Sequence, residues 1–422
     1  MTPFLKLVAD DLYRKLGGNF QDTCIIFPNK RASLFFTEYL WSNSNGETMW
    51  TPEYTSISEL FASLSDYTTG DSIFLVLKLW EVYREKMQPT KPLDQLYALM
   101  ETMLSDFQDI DNNMVDPSKL FLNIAELKEM TDFSFLEDEQ REAIELFFGK
   151  FFTERNANTP LKSQFKTLWN KMTELYEAYQ AALLDTEEEP MLYEGMLKRK
   201  VVEALTGKDE DARMRVDARL SAKTYVAVGF NVLNKTEMEL FRYIKQNRDA
   251  KFYWDYDIAY TKPFIHNGER GTKRPEGVLS KYEAGQFILE NIRLLGNEFE
   301  GQDLFNNMRQ PKKISFIQSP TENAQTRYIN EWMKVHVGND KPLKESAVIL
   351  CNENLLQPVL YSIGETDTIN VTMGYPLTET PAYSLVQALL ELQMHGHTMS
   401  GAWRYKNVAA VLKHSFIQKL AG

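Results

Sequence analysis

Short runs of consecutive apolar residues punctuate longer stretches in which apolar residues recur every three to four positions. The runs are Thr23–Phe27 (TCIIF), 224–230 (TYVAVGF), 250–256 (AKFYWDY), 313–318 (KISFIQ) and 346–351 (SAVILC). They are continuous rather than alternating, which predicts strands buried on both faces, as in a parallel sheet covered by helices. Helical spacing follows four of them, at 33–41, Lys235–Asn247, 322–337 and 354–363. An amphipathic helix precedes Thr23. Strand–helix alternation of this kind predicts an α/β fold wound on both sides of its sheet.

Residues 71–205 have a different texture, helix after helix with almost no strand pattern. Ile73, Leu77, Trp80 and Val82 give the first helix, over 73–86. Further helices are expected over 93–110, 118–130, 137–153 and 161–184, and Asp116-Pro117-Ser118 is a suitable helix start. The expected architecture is an α/β domain interrupted by a helical insertion. Polar stretches at 204–215, 266–277 and 296–311 mark the expected boundaries. A last helical pattern runs over 403–417, and the absence of a closing element after it suggests a truncated chain.

Composition narrows the class. The chain has 422 residues, enough for two to four domains. It carries 47 Lys+Arg against 59 Asp+Glu, and residues 101–160 alone hold 14 acidic and 5 basic residues. That balance argues against a generally basic nucleic-acid binder but leaves room for a local basic groove. Two cysteines, Cys24 and Cys351, cannot build a disulfide scaffold or a four-cysteine zinc site. No apolar run is long enough for a membrane helix, and Asp10 and Asp11 interrupt any signal-peptide pattern, so a cytoplasmic location is expected.

A phosphate loop needs glycines followed by Lys-Ser/Thr. Gly17-Gly18 precedes the first strand, and Gly207-Lys208 lacks a glycine at the required offset. Asp116 with Glu126-x-Lys128 imitates a nuclease constellation, but the helical spacing of Leu120, Ile124 and Leu127 sends Glu126 and Lys128 to different faces. Glu137-Asp138-Glu139 reads as a helix start. His395, His397 and His414 could meet a metal, but no acidic or cysteine partner stands nearby in sequence. Phe252-Tyr253-Trp254 could stack on bases and reads better as a central strand packed in a core. Phe27-Pro28-Asn29-Lys30-Arg31-Ala32-Ser33 leaves a buried strand and opens a helix, the position where parallel α/β folds bind ligands. It offers amide, ammonium, guanidinium and hydroxyl groups beside a helix N-terminus, a phosphate-binding set.

These residues carry a resemblance. IIFPNKRASLFFTEYL is similar to the second conserved motif of UvrD-like superfamily 1 helicases as it occurs in AddB-type subunits of helicase–nuclease complexes. YTSISELF from Tyr54 resembles the next DNA-facing motif. YVAVGFNVLNKTEMELFRYI from Tyr225 resembles the Walker B region, and AKFYWDYDIAY from Ala250 the motif after it. ISFIQSPTENAQTRYINEWM and SAVILCNENLLQPVLYSI resemble the opening of a second RecA-like domain. INVTMGYPLTETP from Ile369 resembles its following strand and turn in AddB-like proteins, which carry a PD-(D/E)XK nuclease at the far C-terminus.

The resemblance implies tandem RecA-like domains with large helical insertions. The first domain would comprise 1–70 with 206–305, the insertion 71–205, the second domain 306–395, and the start of another insertion 396–422. It also implies a role in double-strand-break processing and recombinational repair, beside an AddA-like motor subunit. Three departures from active relatives imply a lost ATPase: no phosphate loop, Gly229-Phe230-Asn231 in place of the Walker B acids, and no glutamine in 250–260. The chain is therefore expected to bind single-stranded or forked DNA without catalytic residues, cofactor or metal. Asn29, Lys30, Arg31 and Ser33 are the first expected DNA contacts, and Thr55, Ser56 and Ser58 the second. Two alternatives remain at this point. One is a scaffold docking a basic partner through the acidic 101–160 face. The other is an ATPase with a non-standard site.

Overall fold

The computed structural model describes residues 2–44, 46–121, 171–185, 189–261, 283–299, 305–336, 346–363, 369–398 and 400–421. The chain divides into two compact units, Met1–Pro311 and Lys312–Gly422.

The first unit is built on a four-stranded sheet. Its strands are β1 (Thr23–Phe27), β2 (Glu53–Ser56), β5 (Thr224–Val228) and β6 (Asp249–Tyr253). Their order is β2-β1-β5-β6, and all neighbours run parallel. Side chains alternate across it. Cys24, Ile26, Tyr225, Ala227 and Phe252 enter one apolar cluster, and Ile25, Phe27, Val226, Val228 and Tyr253 enter another. Both faces are therefore dry, which is why these strands read as unbroken apolar runs. The aromatic string serves the core: Phe252, Tyr253 and Trp254 are buried.

Helices α1 (Phe4–Leu16) and α2 (Arg31–Asn43) cover one face through Val8, Ala9, Leu12, Phe36 and Leu40. The opposite face takes α3 (Ile57–Leu64) and α9 (Lys235–Asn247). Each of these two helices opens with a capping box, Ser56 with Glu59 and Asn234 with Glu237.

The helical insertion leaves the sheet domain at β3 (Thr68–Thr69) and returns at β4 (Met191–Leu192), and these two short strands pair with each other. Its described helices are α4 (Ser72–Met87), α5 (Leu93–Asn112) and α6 (Met172–Leu184). α7 (Glu194–Thr206) packs against α5, α3 and α9 and so joins the insertion to the sheet domain. The joint is tight. A Cβ on Gly195 would lie 2.5 Å from the Gln108 carbonyl oxygen of α5. A buried polar knot holds the same helices. Asp111 of α5 is fully buried and accepts from the hydroxyls of Tyr176 and Tyr193. It also accepts from Gln180 Nε2 and from the Arg199 guanidinium of α7, each at 3.1 Å. Burial, reinforced by the Asp111 carboxylate, pushes both phenols far above their ordinary value, so both stay proton donors.

The polar stretch expected to be a linker at 204–215 is mostly helical: α7 runs to Thr206, and α8 covers Glu210–Ala218. Asp209 caps α8 by accepting from the Asp211 and Ala212 N–H groups, a start signal hidden among charges that reads as linker composition. α10 (Glu283–Leu295) completes the unit. The expected helices over 137–153 and most of 118–130 lie outside the described residues. So do Glu126, Lys128, Glu137, Asp138 and Glu139.

The second unit departs from the expected second sheet. Among its described residues there is no strand ladder. Residues 313–318 and 346–350 carry no strand pairing, and Ile314, Phe316 and Ile349 are exposed, Phe316 at 95%. A strand exists through its neighbours, and an apolar run by itself does not supply them. The helices of this unit are α11 (Glu322–His336), α12 (Leu356–Ile363), α13 (Pro381–His395), α14 (Tyr405–Leu412) and α15 (Ser415–Ala421). The helix expected over 403–417 is thus broken near Lys413-His414. α13, starting at a Thr380 cap with Pro381 in its first turn, had no counterpart in the pattern reading. Among the described residues no helix is long and apolar enough to cross a membrane.

Candidate nucleic-acid interface

Parallel strands deliver their following loops to one edge of the sheet. The turn after β1, the end of β2 and the loop after β5 therefore emerge together. At the β1–β2 part of that edge is a small cavity of about 210 Å³, lined by Phe27, Lys30, Ser33, Tyr54, Thr55 and Glu59. Three of the expected contacts, Lys30, Ser33 and Thr55, come together there from two separate chain segments.

The polar groups of this edge are partly committed. Lys30 pairs with Glu59, whose other carboxylate oxygen accepts from the Ser56 N–H (3.1 Å) and hydroxyl (3.0 Å). The Lys30 contact and the Ser56 bonds hold the Glu59 carboxyl below its ordinary range. Ser33 donates to the Lys30 carbonyl (2.6 Å) and Thr55 to the Ser56 carbonyl (3.2 Å). Asn29 accepts weakly from the Ala32 N–H at 3.4 Å, and Arg31 projects into solvent. Tyr54 differs. Its hydroxyl is buried without a hydrogen-bond partner, and Thr37 beside it gives its own proton to the Ser33 carbonyl. Burial pushes the Tyr54 phenol up, and the Thr37 hydroxyl beside it offsets part of that rise, so the phenol stays protonated.

Ser58 points the other way. It donates to Glu194 of α7 at 2.6 Å, and Glu194 pairs with the buried Lys198, which reaches Glu237 at 3.2 Å. This chain ties α3, α7 and α9 together beneath the sheet edge. Ser58 and Ser56 are structural partners, and neither lines the cavity.

After β5, Gly229 takes a left-handed φ of +76° and donates to the Tyr253 carbonyl at 2.9 Å. Phe230 is buried edge-on against Phe241, and the Asn231 carbonyl accepts from Asn291 at 2.6 Å. Asp257 further along the edge caps the next turn, accepting from the Ala259 and Met308 N–H groups. Asp116 likewise caps a helix, accepting from Ser118 and Lys119.

His395, His397 and His414 do not converge on one point. His395 pairs with Glu391 (3.0 Å), and His397 packs on Trp403 with ring centroids 3.8 Å apart. His414 lies 3.0 Å from the Ser384 hydroxyl. Because Nδ1 of His414 accepts from the Phe416 N–H, its proton sits on Nε2 and is given to Ser384. Ser384 gives its own proton to the Pro381 carbonyl, so the pair is not an activated nucleophile. Among the described residues no three His, Cys, Asp or Glu side chains are grouped to hold a metal.

Tyr54 and Glu59 were absent from the expected contacts. The Ser56-x-x-Glu59 spacing announces the capping box, but the bridge from Glu59 to Lys30 crosses between two loops and leaves no local pattern. No protein-family model matches the chain, and no curated protein matches it.

Proposed function

We propose that the chain is a helicase-like, non-hydrolysing scaffold that binds the phosphate backbone of DNA at the edge of its parallel sheet. It would be the N-terminal region of an AddB-like helicase–nuclease protein with tandem RecA-like domains. The observation that carries this reading is the cavity between the β1–α2 turn and the end of β2. There Lys30, Ser33 and Thr55 come together from two chain segments beside Tyr54. A phosphate oxygen can take the place of Glu59 at Lys30 and of the backbone carbonyls at Ser33 and Thr55. Glu59 now neutralises Lys30, so an arriving phosphate would exchange one anion for another at the same ammonium. The burial of Phe230 where a helicase keeps its magnesium-binding acid supports a scaffold rather than a motor. Repair of double-strand breaks beside an AddA-like motor is the setting this reading suggests.

The test is fluorescence anisotropy with labelled single-stranded and forked DNA across a salt series. Lys30→Ala with Arg31→Ala should lower the slope of log K against log salt by about 1.4, roughly 0.7 per lost phosphate contact on a single strand. Glu59→Gln keeps an amide that can complete the capping box and should tighten binding. An unchanged slope in the first variant and unchanged affinity in the second would reject the site. Stabilisation of the chain by ATP would reject the non-hydrolysing reading in favour of an unusual nucleotide site.

A further inference from the structure

The C-terminal end of the second unit is basic in a chain whose overall balance is acidic. Its last 42 residues carry Arg404, Lys406, Lys413 and Lys419 against a single carboxylate, Glu391. A cleft of about 550 Å³ opens between α13 and α14, and Gln387, Glu391, His395, Arg404, Lys406 and Asn407 line it. Glu391 is engaged with His395, whereas among the described residues neither Arg404 nor Lys406 has an acidic partner. Asn407 is held in place by donating to the Glu391 carbonyl at 3.2 Å.

Aromatic residues alternate with these cations along the chain, although neither Trp403 nor Tyr405 lines the cleft itself. The segment reads Trp403-Arg404-Tyr405-Lys406. Tyr405 is 79% exposed and Trp403 48% exposed. A closed turn presents the segment: Arg404 N–H donates to the Gly396 carbonyl (2.7 Å) and Thr398 N–H to the Ala402 carbonyl (2.8 Å). His397 backs one side of the Trp403 ring. α14 then begins at Tyr405 with no side chain capping it.

We propose that this cleft is a second nucleic-acid site, for a single strand. Arg404, Lys406 and Asn407 take the phosphates, and Tyr405 stacks on a base, with Trp403 next to it. Two cations in the cleft with an exposed ring between them in the chain suit a single strand, whose charged phosphates alternate with flat bases. A polyacidic peptide such as polyglutamate could use the cations but has no flat partner for the rings. The site is separate from the sheet-edge cavity and does not depend on it.

The experiment uses the whole chain and a labelled 20-nucleotide oligothymidylate, titrated across a salt series. Arg404→Ala with Lys406→Ala should flatten the salt slope by about 1.4. Tyr405→Ala should weaken binding by about 5- to 150-fold and leave the slope unchanged. All three side chains are exposed, and circular dichroism should show that the fold is kept. An abasic strand of the same length should bind more weakly, and polyglutamate should compete poorly. Wild-type affinity and slope in the double variant would overturn the proposal. Equal competition by polyglutamate would also overturn it, in favour of an acidic protein partner. The Lys30→Ala, Arg31→Ala variant separates the two sites. If it binds normally while the Arg404, Lys406 variant does not, the sheet-edge reading falls and this one stands.

Discussion

The buried carboxylate of Asp111 gives the sharpest test of how the helical insertion is held. Asp111→Asn keeps the shape of the side chain and removes its charge. Four donors converge on the present carboxylate: two phenols, the Gln180 amide and the Arg199 guanidinium. An asparagine has one acceptor oxygen for all four, and its own NH₂ would face donors. Arg199 would keep Glu203 (2.9 Å) and the Val115 carbonyl (2.9 Å) but would lose its only fully buried counter-charge. Removing one partner of such a pair costs about 3–5 kcal/mol. Hydrogen exchange read by mass spectrometry reports this locally, from peptides covering α5, α6 and α7. At 1.4 kcal/mol per decade, exchange there should accelerate by roughly 150-fold to several thousand-fold. Sheet peptides from β1 and β5 should respond less. Adding Arg199→Met should recover part of the loss, because the stranded guanidinium goes with it. Acceleration below about fivefold would refute the view that this knot fastens the insertion.

Three further outcomes follow from the packing. Gly195→Ala, which would stabilise an open helix, should here cost about 1–3 kcal/mol, because the new methyl meets the Gln108 backbone; a lowered urea midpoint with unchanged m-value checks it. Cys24 is buried, and burial pushes its thiol up to about 12, whereas Cys351 is exposed. Dithionitrobenzoate should therefore titrate one thiol in the native chain and two in denaturant. Burial would raise the Asp11 carboxyl, but Lys15, Tyr253 and Arg14 together hold it below its ordinary range. Its contribution to stability is thus complete above about pH 4 and is lost as pH falls through the depressed value. Asp11→Asn should be destabilised at neutral pH and show a smaller further loss in melts run from pH 5 down to pH 2.

Much of the first unit could be read in advance, for a physical reason. β1 is buried along its whole length, β5 from Tyr225 onward and β6 at Phe252 and Tyr253, and that burial is written into consecutive residues. Lys235–Asn247 shows both its apolar stripe and its Asn234 cap, so its limits are visible in the sequence. β2 (EYTS) is polar and at the sheet edge, and nothing local marks it as a strand. The runs at 313–318 and 346–351 mislead for the opposite reason: their composition suits a strand, but pairing is a property of neighbours. At the site, Lys30 and Ser33 were legible because a loop after a buried parallel strand has a fixed destination. The grip of Glu59 on Lys30 and the idle hydroxyl of Tyr54 arise from tertiary approach and have no sequence signature. The Trp403–Lys406 alternation was present in the sequence, and its meaning depended on the exposure of its rings.

The order of the sheet also sets a timetable. Thr23 of β1 lies beside Thr224 of β5, about 200 residues later, with the whole insertion spelled out between them. At about 5–20 residues per second, a ribosome needs roughly 10–40 s to deliver the strand that completes the centre of this sheet. Through that interval Ile25 and Ile26 have only β2 for company, and a two-stranded parallel pair is too small to persist. The helices of the insertion, with their local contacts, can organise while they wait. For this molecule, then, the first strand made is among the last to be secured, and its apolar residues lack their central neighbour until β5 has been made.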